Sequence, residues 1–232
     1  MVNTGGDRWP DRARQDYLKA IYLAGGGAAA KAAHVARRLG VSRASVSKRV
    51  RELERDKLIV RGAGDQMLRL TPCGRRVALG VVRRHRIVET FLHGALGVPL
   101  DRLHAEAERI EHAVSDDIAG RLERLLQHPD RDPHGDAIPD ARLRVARVID
   151  APLASAAVGE HLRVSRIDDR QPPIVRALLR AHVLPGAGVR VVSRGMHGIV
   201  LRVGSRLATL APTAAAAVRV SPVQRTKARR SA

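Results

Sequence analysis

Imidazole and carboxylate side chains recur at helical spacing in the stretch LHAEAERIEHAVSDDI, which contains His104, Glu108, Glu111 and His112. On one continuous helix, side chains three and four residues apart stack along a face, so these four would form a single stripe. Imidazole nitrogen and ionised carboxylate oxygen both donate to divalent cations, and holding such a cation is the chemistry this stripe can do. A second i, i+4 pair, His85 and Glu89, lies upstream in RRHRIVETFL. For either group alone the alternative is a ladder of surface ion pairs, because arginines surround both. Glycine-rich phosphate loops, Gly-x-Ser-x-Gly elbows and catalytic carboxylate pairs are missing from the sequence, which leaves metallohydrolase chemistry on a bound ion as the enzymatic alternative.

The stripe needs a helix from about Asp101 to Gln127, whose apolar face (Leu103, Ile110, Val114, Ile118, Leu122, Leu125) suits packing against a second subunit. Before it, Thr71 as N-cap and Pro72 as first residue open a helix through GRRVALGVVRRHRIVETFLHGAL that ends at Gly97, Val98 and Pro99. Further upstream, Tyr17, Leu18, Ile21 and Tyr22 mark a first helix that stops at Gly25, Gly26 and Gly27. AAHVARRLGV then breaks at Gly40, and Ser42 caps SRASVSKRVRELERDKL, giving two helices about a tight turn: a helix-turn-helix. Val46, Val50 and Leu53 face its core. Ser42, Arg43, Ala44, Ser45, Ser47, Lys48, Arg49 and Arg51 remain for DNA, mostly as phosphate contacts, since short side chains read few base edges. LIVRGAGDQMLRL alternates about Gly-Ala-Gly-Asp, the pattern of a two-stranded wing.

From Asp130 the segment DRDPHGDAIPDARL is rich in Pro, Gly and Asp and reads as an ordered loop at a domain boundary. Beyond it, RVARVID, HLRVSRI, GVRVVSR, GIVLRVG, RLATLA and VRVSPV predict a small β-barrel or sheet with one helix at PPIVRALLRAHVL. The expected architecture is mainly α with small β: a winged helix-turn-helix over 10–78, helices over 79–140, β structure over 141–222 and a basic tail at 223–232.

A net charge of +19 on 232 residues makes a strong field for polyanions. The charge is concentrated where the helix-turn-helix lies, with ten Lys/Arg against three Asp/Glu between Lys31 and Arg61. Aromatic residues are only 2%, which argues against base-stacking recognition of single strands and leaves double-stranded DNA. The single cysteine, Cys73, rules out an internal disulfide framework and a Cys-rich zinc site. With no apolar run long enough for a membrane span and no leader pattern, the expected compartment is the cytoplasm, with no membrane partner.

Taken in order, DYLKAIY, SRASVSKRVRELERDKLI, LTPCGR, RRHRIVETFL, LHAEAERIEHAVSDDI and DPHGDAIP resemble the diphtheria-toxin-repressor family of metal-dependent transcriptional regulators over residues 14 to 221. The resemblance implies a helical metal-binding and dimerisation domain and an SH3-like C-terminal β-barrel. It implies a primary metal site of Asp16, Glu108, Glu111 and His112, and an ancillary site of His85, Glu89 and His104 with Gln171 from the third domain. Iron-responsive members typically carry Met and Cys at the positions of Asp16 and Glu108, whereas manganese-responsive members carry Asp and Glu. Hard oxygen donors suit Mn²⁺, although raw affinity rises toward Zn²⁺, so Zn²⁺ or Co²⁺ would substitute in vitro. Lys19 stands where some manganese regulators have a glutamate ligand, which implies two separated sites and not a bridged pair. The implied function is a homodimeric Mn²⁺-dependent repressor of metal-uptake genes acting on a pseudo-palindromic operator, without an organic cofactor. An iron-responsive or organic-ligand-gated winged-helix regulator is the alternative.

Overall fold

The computed structural model describes residues 10–62 and 67–223. The chain forms two compact units: residues up to 85 with 111–119 and 139–144, and residues 86–110 and 120–138 with everything from 145 onward.

In the first unit, α1 (Arg12–Ala24) is capped by Asp11, whose carboxylate accepts from the Arg14 amide, and ends at Gly25. β1 (Ala29–Lys31) leads into α2 (Ala32–Leu39), which stops because Gly40 takes φ +65, a left-handed conformation that costs glycine little. α3 (Arg43–Arg55) follows, its cap Ser42 accepting from the Ser45 amide. β2 (Ile59–Arg61) and β3 (Met67–Leu70) pair antiparallel as the expected wing, whose Ala63–Gln66 tip lies outside the described residues. The sheet has a third strand: β1 pairs with β3 on its other edge, Ala30 opposite Leu68. A three-residue strand carries too little alternation to be read from sequence. Leu18, Ile21, Val35, Val46, Leu53, Ile59 and Leu68 are almost wholly buried and form the core that joins α1, α2, α3 and the sheet. α4 (Pro72–Leu96) begins behind Thr71, whose hydroxyl accepts from the Gly74 amide, and runs from the first unit into the second after His85.

The expected helix over 101–127 is two helices, α5 (Leu100–Ile110) and α6 (Asp116–Leu125), separated by a turn at Glu111–Ala113. Ser115 is the reason: its hydroxyl accepts from the Ile118 amide, and Asp116 and Asp117 complement the new helix N-terminus. Leu103, expected on a subunit-facing stripe, is instead fully buried, whereas Ile110, Ile118 and Leu125 are exposed.

The second unit is dominated by an SH3-like antiparallel sheet. Its strands, β4 (Ala151–Pro152), β5 (His161–Ile167), β6 (Gly188–Gly195), β7 (Gly198–Val203), β8 (Arg206–Leu210) and β9 (Val218–Pro222), lie in the order β4-β9-β5-β6-β7-β8. Register shifts between Val164 and Arg166 and between Val191 and Ser193 bend it. Leu162, Val164, Val191, Leu201, Val218 and Val220 point inward against α7 (Pro172–Arg180), through Val175 and Leu178, and against the short α8 (Pro212–Ala216). The loop 131–137 is closed by the Asp132 carboxylate, which accepts from the His134 and Asp136 amides at 2.9 Å each. Gly135, at φ +91, lets this loop approach β5; a Cβ there would stand 2.2 Å from the Ser165 carbonyl oxygen. Of the expected tail 223–232, all but Val223 lies outside the described residues.

Candidate metal centre

Within the first unit, α1 and the turn after α5 bring Asp16, Glu111 and His112 together, one donor atom of each lying within 4.8 Å of the others. His112 Nε2 is 2.7 Å from Asp16 Oδ1 and 3.3 Å from Glu111 Oε1. On its other side, His112 Nδ1 is 3.2 Å from Gln15 Oε1, an atom that only accepts, so Nδ1 carries the hydrogen and Nε2 faces the carboxylates. Gln15 is itself held by its amide donating to the Pro10 carbonyl at 2.6 Å and by Arg84 Nη2 at 3.2 Å. Burial pushes the His112 pKa down, but the hydrogen bonds and charges of Asp16 and Glu111 outweigh it and the net shift is upward. An oxygen-and-nitrogen donor set with its imidazole aimed inward by an outer partner fits a divalent ion.

Glu111 is 1% exposed and collects positive partners. Lys19 Nζ donates to both its oxygens, at 2.8 and 3.0 Å, and lies 3.2 Å from His85 Nδ1, which is 2.5 Å from Glu111 Oε2. Burial alone would raise the carboxyl pKa; His112, His85 and Lys19 together reverse this and hold it well below the usual range. Glu108 lies outside this cluster. The end of α5 at Ile110 removes the shared face that would have aligned it with Glu111 and His112, and its half-exposed carboxylate lies 3.4 Å from His104 Nε2.

Within the second unit a further group gathers about α4. Glu89 is fully buried, His104 Nδ1 lies 3.0 Å from Asp169 Oδ2 and 4.0 Å from Glu89 Oε1, and the donor atoms of the three fall within 4.8 Å of one another. His85 precedes Glu89 by one turn of α4. Gln171, the residue expected from the third domain, is exposed at the start of α7; the side chain of that segment at the cluster is Asp169, two residues earlier. His134 also reaches this group, with Nδ1 3.6 Å from Glu89 Oε1. Burial lowers the His134 pKa, yet Glu89, Asp169 and Asp132 outweigh it and bring it to about 9. Asp132 is pushed well above its ordinary value by burial and by the charges of Glu89 and Asp136, against the pull of Arg86 at 3.5 Å.

On α3, Ser42, Arg43, Ala44, Ser45, Ser47, Lys48 and Arg51 are exposed, whereas Arg49 is half-buried, pairs with Glu52 and lies 5.9 Å from the Tyr17 ring centroid. A surface of small polar and basic residues at a helix start, beside a wing, is a DNA-facing arrangement.

Three family models cover most of the chain: the iron-dependent repressor N-terminal DNA-binding domain at residues 12–61, the iron-dependent repressor metal-binding and dimerisation domain at 71–140, and the FeoA domain at 151–222. The diphtheria toxin repressor of Corynebacterium diphtheriae is 34% identical over 192 residues, spanning 78% of this chain and 84% of that protein. The chain belongs to the iron-dependent repressor family. The iron-dependent repressor IdeR of Mycobacterium leprae is 34% identical over 223 residues, covering 89% of the chain and 96% of that protein. Among solved structures, a manganese-dependent transcriptional repressor in complex with manganese is 37% identical, with a TM-score of 0.83 over 90% of this chain and 100% of that one. ScaR with bound Zn²⁺ is 27% identical, with a TM-score of 0.78 over 92% of this chain and 100% of that one. This repressor is therefore a metal-dependent transcriptional regulator with DNA-binding and dimerisation domains, and not an enzyme. No helix among its described residues is long and apolar enough to cross a membrane.

Two side chains of the repressor's buried clusters were not reached from the sequence. Gln15 carries no pattern beyond adjacency to Asp16. Asp169 lies in RIDDRQPP, where the spacing to the helices, which only the fold supplies, decides between it and Gln171.

Proposed function

We propose that this repressor answers to Mn²⁺, acts in the cytoplasm as a homodimer on a pseudo-palindromic operator, and controls metal-ion uptake genes. The observation that carries the metal assignment is Asp16: a hard carboxylate oxygen 2.7 Å from His112 Nε2 in a sulfur-free cluster. We assign Asp16, Glu111 and His112 to the primary site, with Glu108 as a fourth donor on its spacing of three residues from Glu111. His85, Glu89 and His104, joined by Asp169, make the ancillary set. The buried ammonium of Lys19 already neutralises Glu111, which supports one ion at the primary site. DNA contacts are assigned to Ser42, Arg43, Ala44, Ser45, Ser47 and Lys48, and the functional domains to 10–78, 79–140 and 141–222.

The bound ion supplies positive charge that links Asp16 on α1 to Glu111 and His112 beyond α5. Because α1 packs on α2 and α3, fixing Asp16 fixes the helix that presents Lys48 and the serines. Metal thereby shifts the population toward the arrangement in which two recognition helices match two half-sites. An iron response is the second reading, favoured by the names of the 34%-identical relatives. The deciding experiment is operator binding by fluorescence anisotropy across anaerobic, chelator-buffered Mn²⁺, Fe²⁺, Co²⁺ and Zn²⁺, in the wild type and in Asp16→Met/Glu108→Cys. Mn²⁺ activates the wild type, and the double variant shifts toward Fe²⁺ and Co²⁺. A wild type indifferent to Mn²⁺, or a double variant with the same metal order, refutes the assignment.

A further inference from the structure

His134 is fully buried in the second unit, yet its ring has one nitrogen without a hydrogen-bond partner among the described residues. Nε2 lies 3.0 Å from the Leu100 carbonyl oxygen, an acceptor, so Nε2 carries the hydrogen. Nδ1 is left facing Glu89 Oε1 at 3.6 Å and Asp169 Oδ2 at 3.7 Å. Both distances are too long for hydrogen bonds. They are close to the separation of neighbouring donors around one ion, about 3.0–3.4 Å for bonds of about 2.1 Å.

The ring is held from several sides. The His134 amide donates to Asp132 Oδ1 at 2.9 Å, its carbonyl accepts from the Ile167 amide at 2.9 Å, and Gly135 permits the close approach to β5. An imidazole whose N–H is committed to a backbone carbonyl while its other nitrogen points at carboxylates is the usual orientation of a metal-bound histidine. Asp132 is a weaker candidate, because its Oδ1 is already engaged by two backbone amides.

We infer that His134 Nδ1 is a ligand of the ancillary site, joining Glu89, His104 and Asp169 in a donor set of two imidazoles and two carboxylates. The inference rests on the reading that the Glu89 and His104 group binds metal. Four donors from α4, α5, the 131–137 loop and the segment after β5 would be tied by one divalent cation. With two nitrogens, this set suits borderline ions better than the single-imidazole cluster at Asp16.

The test uses the full chain with Mn²⁺ and Co²⁺ alone. In His134→Gln the amide nitrogen reproduces Nε2 and its bond to Leu100, while the Nδ1 donor is gone; in His134→Asn an oxygen stands near Nδ1. Isothermal titration with Mn²⁺ is expected to give two sites in the wild type. In His134→Gln the second site weakens about 10- to 100-fold, with the first unchanged, and His134→Asn falls between. The Co²⁺ ligand-field bands of that site change in His134→Gln. Glu89→Gln serves as control. If Glu89→Gln removes the second ion but His134→Gln leaves both affinity and Co²⁺ bands at wild-type values, the His134 assignment is overturned and the ancillary site stands. A wild type with a single ion that Glu89→Gln does not touch overturns both. Proton NMR of the Co²⁺-loaded wild type decides the matter should His134→Gln fail to fold: a slowly exchanging, paramagnetically shifted Nε2–H from His134 supports ligation, and its absence refutes it.

Discussion

Replacing Lys19 by methionine keeps the unbranched stem and deletes the ammonium that both oxygens of Glu111 accept from. Removing one partner of a buried ion pair costs about 3–5 kcal/mol. Glu111 retains His85 at 2.5 Å and His112 at 3.3 Å, which places the loss at the lower end, about 3 kcal/mol. For a chain of this length each kcal/mol moves Tm by roughly 2–4 °C, so the chelated variant melts about 6–12 °C below the chelated wild type. Adding Mn²⁺ narrows the gap, because the ion brings positive charge to the same carboxylate and no longer competes with an ammonium for it. Differential scanning calorimetry in chelator and in a buffered Mn²⁺ series measures both effects. A gap under 2 °C in chelator, or a gap that Mn²⁺ leaves unchanged, refutes the account of Lys19 as the resident cation of the centre.

Lys48→Ala weakens operator binding and makes the dependence of log K on log salt shallower by about 1, whereas Arg49→Ala, which loses Glu52 and Tyr17, lowers Tm instead; anisotropy and melting together separate the two. Asp150, accepting from Arg166 and Arg219 at 2.8 and 2.9 Å, has burial raising its pKa but is held below its ordinary value by these two guanidinium groups. Its contribution of about 2 kcal/mol is present above the unfolded value of 3.8 and disappears as pH falls through the lower folded pKa. Asp150→Asn therefore melts lower at pH 7, and the difference closes in acid; a constant difference down to the acid limit contradicts the linkage. Light scattering at micromolar concentration is expected to show a dimer, and a monomer both with and without Mn²⁺ sinks the half-site mechanism.

The helix-turn-helix was legible because local signals agree there: the glycine stop at Gly40, the Ser42 cap and the apolar spacing of Val46, Val50 and Leu53 all name the same boundaries. Thr71 and Pro72 announced α4 in the same way, and Val-rich alternation announced the C-terminal sheet. The break between α5 and α6 escaped because the apolar periodicity runs on past Ile110 while the cap at Ser115 is a single-residue signal within it. That one omission aligned Glu108 with Glu111 and His112. Asp169 and His134 could not be read locally: both come to the second cluster through strand pairing and loop closure. Lys19 stood out by sequence position, but its contact with Glu111, 92 residues away, depends on how α1 packs.

Glu111 and His112 are consecutive residues aimed at one point, which an α-helix forbids, since neighbours on a helix diverge by about 100°. The interruption after Ile110 is thus a precondition of the centre. Helix propagation and cation capture are alternative fates of the same five residues. A substitution such as Ser115→Ala, which touches no donor atom, would let the helix extend backward and splay the two side chains apart. Sensitivity to metal can consequently drift between related chains through capping strength alone, with every coordinating residue unchanged.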